Sequence, residues 1–272
     1  MKKTIIAALS SLVAVFMFAV VANAATPTVI VTGDTSAGEN QPGWLFNRDV
    51  STSTPFEFNT DEASIGSGSL YVMPIGSNPA DKFIAENFIN APIADVETIS
   101  YDFMIGSGGV ASDENEFYMN VYANFGSSPD NKFYDCRYNV VPSTGSTTDW
   151  TTVTFDPTQS YSVTQSGTSP YTCPAVPADM DLSSAGSTIR VFALNVGDTS
   201  ANDTGLDGYL DNVVVSIAGD TTINDFEPAL TPSDKNECKN GGWMTFNTPV
   251  FDNQGQCVSY VQSNENAGKR SN

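Results

Sequence analysis

The sequence predicts an all-β chain, an antiparallel sandwich or barrel followed by a small C-terminal appendage. Three observations predict it. Between residues 26 and 217 no apolar run keeps the period of an amphipathic helix, while short alternating runs recur, separated by Gly, Pro, Ser, Asn and Asp. Thr, Val, Tyr and Phe dominate those runs, as a pleated and half-buried surface prefers. Four cysteines, Cys136, Cys173, Cys238 and Cys257, fall in two separated segments, which suits two local staples.

The chain begins with a targeting pattern. Lys2 and Lys3 form a positive patch, residues 5–21 are apolar, and Ala22-Asn23-Ala24 supplies a small-x-small cleavage site. Residues 1–24 are therefore read as a signal peptide cut after Ala24. Seventeen apolar residues without a basic flank are short for a bilayer span, so no membrane span is expected after cleavage. The protein is expected to be exported, and an exported chain with an even cysteine count favours disulfides. The expected pairing is Cys136–Cys173 and Cys238–Cys257.

The expected domain runs over residues 25–217. Its strands are read at 28–32, 56–58, 69–73, 98–105, 117–125, 132–141, 150–155, 189–196 and 208–217. Residues 107–114 and 158–169 read as polar loops. Residues 218–236, interrupted by Pro228 and Pro232, read as a linker. Residues 237–272 read as a module with Trp243, Phe246 and Phe251 as its apolar centre, too small to hold without a disulfide.

Composition excludes several kinds of chemistry. The chain carries 11 basic and 31 acidic residues and no histidine. Loss of Lys2 and Lys3 leaves nine against 31, a net charge of −22. Nucleic acid and anionic membranes are poor partners for such a surface. The absence of histidine removes Ser-His-Asp and Cys-His nucleophiles and His-containing zinc sites. Carboxylate chemistry remains open, with Glu97, Asp102, Glu116 and Asp135 on or near strands.

One hairpin carries a candidate surface. In FYMNVYANF, Phe117, Met119, Val121 and Ala123 share one face, and Tyr118, Asn120, Tyr122 and Asn124 share the other. In KFYDCRYNVV, Tyr134, Cys136, Tyr138 and Val140 oppose Asp135, Arg137 and Asn139. Aligning the apolar faces predicts an odd register sum, for example Tyr122 opposite Asp135 and Asn120 opposite Arg137. Tyr118, Asn120, Tyr122, Asp135, Arg137 and Asn139 would then form one polar, aromatic face. Tyrosine rings stack on the C–H face of a sugar, and amides and a guanidinium bind hydroxyls, so the expected partner is an extracellular glycan or cell-surface component. Tyrosine is also simply a good strand residue, so a purely structural surface or matrix protein is the alternative. A carboxylate-based polysaccharide hydrolase or lyase is the third.

Asp198, Asp203, Asp207 and Asp211 fall within 14 residues, a density of oxygen donors that suits a structural Ca2+. No EF-hand pattern is present. Asp211, Asp207 and Asp203 are the candidate ligands, Asp211 foremost because it enters a strand.

The stretch GYLDNVVVSI (208–217) resembles the closing strand of carbohydrate-binding-module-like and galactose-binding-like jelly rolls, and GSGSLYV (66–72) resembles one of their early strands. The resemblance implies a jelly-roll-like sandwich, often glycan-binding. It also implies a structural calcium held by the Asp of the last strand, here Asp211, with an N-terminal Glu, for which Glu39 and Glu57 are candidates. The tail CKNGGWMTFNTPVFDNQGQCVSYV resembles a recurrent C-terminal segment of exported proteins of unknown function.

Overall fold

Alternation and turns build two stacked sheets. The computed structural model describes residues 26–36, 41–47, 52–78, 81–126, 133–167, 169–180, 186–198 and 203–267. The expected signal peptide lies outside these residues, as does Glu39. The strands are β1 (Thr28–Val31), β2 (Gly43–Phe46), β3 (Thr52–Ser53), β4 (Phe56–Asn59), β5 (Ser69–Val72), β6 (Asp81–Pro92) and β7 (Val96–Ile105). They continue as β8 (Phe117–Asn124), β9 (Cys136–Val140), β10 (Thr151–Phe155), β11 (Ser162–Gln165), β12 (Thr188–Val196), β13 (Gly208–Ile217) and β14 (Asp220–Phe226). One helix follows, α1 (Gln254–Ala267).

The first sheet is organised around β13. β7 runs along one side of it and β10 extends from β7. On the other side β5 pairs its first half and β14 its second. β4 continues from β5, and β1 adds to β14 in parallel. The second sheet has the order β11-β9-β8-β12-β6-β2, with β3 beside β6. The sheets face each other across one apolar core. Phe117, Met119 and Val121 of β8 and Tyr101, Phe103 and Ile105 of β7 are buried there. Phe103 and Phe117 stack at 4.9 Å, and the Tyr101 hydroxyl donates to the Phe117 carbonyl at 2.6 Å. The all-β sandwich expected from the sequence is therefore the fold, and both expected disulfides are formed. Cys136–Cys173 and Cys238–Cys257 span 5.6 and 5.7 Å between Cα atoms, inside the range a disulfide requires.

Several elements differ from the sequence reading. β6, the longest strand, was not among the expected ones. Phe83 to Phe88 are buried without interruption, so both faces are covered and no alternation marks the strand. β11 lies inside the segment read as a polar loop. β14 lies inside the segment read as a linker, so 218–236 is not a linker throughout. Ala218 and Gly219 both have positive φ, 53° and 84°, and form a two-residue turn that sends the chain back along β13. Gly208–Ile217, which resembled a closing strand, is therefore second to last.

The tail is also not β-structure. Asn253 caps α1 through its side chain, which accepts the Gln256 N–H at 3.0 Å, and Gln256 reaches back to the Asp252 N–H at 3.0 Å. Cys257 and Val261, one turn apart, bury against Phe251 and Cys238. Asn247 ties the module to the sandwich, accepting the Leu230 N–H at 2.7 Å and donating to the Pro228 carbonyl at 2.9 Å.

Candidate functional site

Strand alternation sorts β8 and β9 as expected. Met119, Val121 and Cys136 enter the core, and Tyr118, Tyr122, Arg137 and Asn139 stand half-buried on the opposite face. The first sheet packs on the core side, so it does not cover these residues. The register has the expected parity but is shifted by two. Tyr122 lies opposite Arg137 and Asn120 opposite Asn139. The shift leaves Asp135 beyond the ladder. It is fully buried, and its carboxylate accepts the Phe125 N–H at 3.0 Å. Asp135 thus closes the hairpin and is not part of the exposed face, contrary to expectation.

Pairing across the sheet extends the face in rows. One row reads Thr164, Arg137, Tyr122, Val191, Phe88, and the next Ser162, Asn139, Asn120, Ala193, Glu86. A third holds Tyr118, Asn195 and Ile84. Phe88, Val191 and Ala193 are buried, so the accessible part lies over β8 and β9. The amides are linked. Tyr122 donates to Asn120 Oδ1 at 3.4 Å, and Asn120 Nδ2 donates to Asn139 Oδ1 at 3.0 Å. Arg137 Nη2 donates to Thr164 Oγ1 at 3.3 Å, while its Nε is buried with no hydrogen-bond partner among the described residues. Burial pushes the Tyr118 hydroxyl up to about 12 and raises that of Tyr122 as well, so both remain donors. Tyr122 is held from the side by Phe133 and Tyr134, with ring centroids 5.1 and 5.3 Å away. Arg190, the extra residue at a break in the β12 register, lies 5.2 Å over the Phe133 ring.

Sequence reasoning missed three members of this face: Lys82, Glu86 and Asn195. They sit on β6 and β12, whose neighbours in space come only from the pairing. Burial, and then the charge of Arg137, lower the pKa of Lys82, while Asp198 and Glu86 oppose that change.

The candidate metal ligands separate into three environments. Asp203 joins Glu116 and Asp198, with one oxygen from each within 4.8 Å of the others. Burial, then Asp203 and Asp198, push Glu116 up to about 7. Asp207 accepts the Tyr71 hydroxyl at 2.7 Å and the Gly108 N–H at 2.6 Å. Asp211 accepts three backbone N–H groups, from Ser64 and Ile65 at 3.0 Å and from Phe226 at 3.1 Å. Its acidic neighbours are Asp225 and Glu227, which were not foreseen because β14 was not. Glu57 is exposed and bonded to Asn59. Asp225 and Glu227 are each 5% exposed, and Asp225 Oδ1 has no hydrogen-bond partner among the described residues. Gly66 allows this crowding, because a Cβ there would collide with Glu227 Oε1 and Asp225 Oδ2. Of the other candidate acids, Asp102 is occupied by Ser64, Thr152 and Asn212, and Glu97 accepts the Gly219 N–H.

Two cavities lie at the edges of the sandwich. One of about 500 Å³ is bordered by Asn139, Val141, Thr152, Thr154, Tyr161 and Ser162. The other, about 560 Å³, is bordered by Val29, Trp44, Ile89, Ile217 and Asn224. Neither is lined by Tyr118 or Tyr122.

No protein-family model matches the chain, and no curated protein matches it. Among solved structures it is similar to a family 11 carbohydrate-binding module from Clostridium thermocellum in complex with a mixed-linked tetrasaccharide. Identity there is 14%, coverage is 71% of this chain and 94% of that one, and the TM-score is 0.40. It is also similar to a family 22 module from the same organism, at 13% identity, 70% and 91% coverage, and a TM-score of 0.36. A xylan-binding domain from Paenibacillus barcinonensis gives 9% identity, 72% and 98% coverage, and a TM-score of 0.35. Likenesses of this size carry no argument about ligand.

Proposed function

We propose that this is an exported, non-catalytic binding protein that recognises extracellular glycan through the outer face of β8 and β9. One observation carries the reading: half-buried Tyr118, Tyr122, Arg137 and Asn139, with buried Asn120 among them, share the sheet face that points away from the opposing sheet. Stacking rings, planar amides and a guanidinium on one rigid surface match the alternating C–H and hydroxyl surfaces of a sugar chain. Rigid strands hold the groups in place, which limits the entropy lost on binding. The test is retention on insoluble and arrayed polysaccharides. Wild type is expected to bind, and Tyr122→Ala to bind at least tenfold more weakly with an unchanged fold. Absence of binding by wild type, or equal binding by the variant, contradicts the reading.

A structural calcium at Asp225 and Glu227, beside Asp211, completes the proposal. The buried and partnerless Asp225 Oδ1 and the two neighbouring carboxylates, Asp211 and Glu227, fit a hard cation. The ion would fasten β14 to the turn at Gly66 and Ser67, where Glu227 already accepts the Ser67 hydroxyl at 2.9 Å.

A further inference from the structure

We propose that the outer face of the first sheet is a second ligand site, separate from the face on β8 and β9, and that it takes a polymer of amino sugars with protonated amines. An aromatic row crosses that face. Strand pairing sets Glu57 of β4 opposite Tyr71 of β5, Tyr71 opposite Tyr209 of β13, and Tyr209 opposite Met104 of β7. Trp150 precedes Thr151, which pairs with Phe103, so Trp150 continues the row past Met104. Ring centroids of Tyr71 and Tyr209 are 4.9 Å apart, and those of Trp150 and Tyr209 6.5 Å. The three rings are half-buried, while Met104 in the same row is 4% exposed. Their strand neighbours Leu70, Val72, Leu210 and Phe103 enter the core, so the row stands on the side away from the second sheet.

Charge sets the kind of ligand. None of the seven strands of the first sheet carries a lysine or arginine, whereas Lys82, Arg137 and Arg190 lie on strands of the second. Carboxylates adjoin the row instead. Asn59 Nδ2 donates to Glu57 Oε1 at 3.0 Å and to Asp61 Oδ2 at 3.3 Å, which holds two exposed acids together at the end of the row. Asp207 accepts the Tyr71 hydroxyl at 2.7 Å and fixes that ring. Burial, then the charges of Asp61, Glu62, Asp207 and Glu57, raise the pKa of Tyr209, so the rings stand in a negative field. Such a field repels anions and strengthens the attraction of an aromatic face for a cation. Shape then selects among cations. A compact quaternary ammonium is held by rings that enclose it, and a peptide strand docks at a sheet edge. Here three rings lie in line across the interior of a sheet. Pyranose units stack their C–H faces on rings so arranged, and an ammonium on the sugar meets Glu57 and Asp61 at the end of the row.

The experiment measures affinity for a fully deacetylated glucosamine oligomer, its fully N-acetylated counterpart and polylysine, at a mildly acidic pH that keeps the amines protonated. The proteins are wild type, Trp150→Ala, the double variant Glu57→Gln, Asp61→Asn, and Tyr122→Ala. Wild type is expected to bind the deacetylated oligomer at least about tenfold more tightly than the acetylated one. Trp150→Ala is expected to weaken binding of the deacetylated oligomer about tenfold, and the double variant to reduce the preference below about threefold. Tyr122→Ala is expected to bind it as wild type does, because that ring lies on the other sheet. No binding of the deacetylated oligomer, equal binding of the two oligomers, or a preference kept by the double variant overturns the proposal. Binding lost in Tyr122→Ala and kept in Trp150→Ala overturns it too and moves the sugar to the face on β8 and β9. Polylysine bound as tightly as the oligomer, with Trp150→Ala without effect on either, reduces the site to general charge attraction and also overturns it. If Trp150→Ala fails to fold, the double variant, whose two substitutions are isosteric and exposed, decides alone.

Discussion

At the scale of single residues, many buried polar groups among the described residues have named partners, and Arg137 Nε and Asp225 Oδ1 are among the exceptions. Tyr101 illustrates the first case. It is 1% exposed and its hydroxyl meets the Phe117 carbonyl. Tyr101→Phe leaves that carbonyl without its partner and is expected to cost about 1–2 kcal/mol, seen in a denaturant titration as a lower midpoint with an unchanged slope. Glu116 illustrates a cost imposed by neighbours. Its pKa rises to about 7 in the folded protein against 4.5 for the free side chain. The native state therefore holds this proton more tightly than the unfolded chain does. Stability from this group is complete below about pH 4.5 and is lost as pH rises through 7. In EDTA the melting midpoint is expected to fall over that window, and Glu116→Gln is expected to flatten the fall. A midpoint that rises across the window equally in both proteins contradicts the assignment. Residue identity on the tyrosine face was legible because alternation alone sorts Tyr118, Asn120, Tyr122, Arg137 and Asn139 to one side. Asp135 obeyed the same parity but lay past the end of the ladder, where the closing loop buried it.

Secondary-structure elements show why some parts of the fold could be read in advance and others could not. β8 and β13 face a core on one side and a wetter surface on the other, so their alternation is strong. β6 is buried on both faces, and its sequence carries no period to detect. β14 was hidden by the prolines that follow it, although Ala218-Gly219 at its start was a usable turn signal. α1 also had a signal, Asn253 followed three residues later by Gln256, although the sequence reading of the stapled module named no helix. Lys82, Glu86 and Asn195 could not be placed with the tyrosines until β6 and β12 were paired with β8. The Cys136–Cys173 bridge ties β9 to the segment beyond β11 and sits next to Arg137. It closes a 37-residue separation, worth about 4 kcal/mol in the chain-entropy picture. The double variant Cys136→Ala, Cys173→Ala is expected to lose stability of that order and also to weaken ligand binding, because Arg137 would be less well held. Loss of stability with undiminished affinity would show that the bridge does not support the face. Cys238→Ala with Cys257→Ala is expected to loosen only the tail, with the sandwich melting as before.

For the whole molecule, an acidic composition and two disulfides accompany a sheet face that carries half-buried Tyr118 and Tyr122. The net charge is −20, and the buried Asp211, Asp225 and Glu227 make an acidic concentration beside the first sheet. Millimolar calcium is expected to raise the melting midpoint of wild type and to leave that of an Asp225→Asn, Glu227→Gln variant unchanged. An equal rise in both proteins, or none in either, contradicts the calcium site. The central claim concerns the outer face of the second sheet. Its most direct test is an NMR titration of the isotope-labelled protein with the oligosaccharide that binds best in the array. The account predicts shift changes that cluster on Tyr118, Asn120, Tyr122, Arg137, Asn139 and their row neighbours in β12. Changes centred instead on the edge cavity around Val141 and Thr152, or on the C-terminal module, would contradict it.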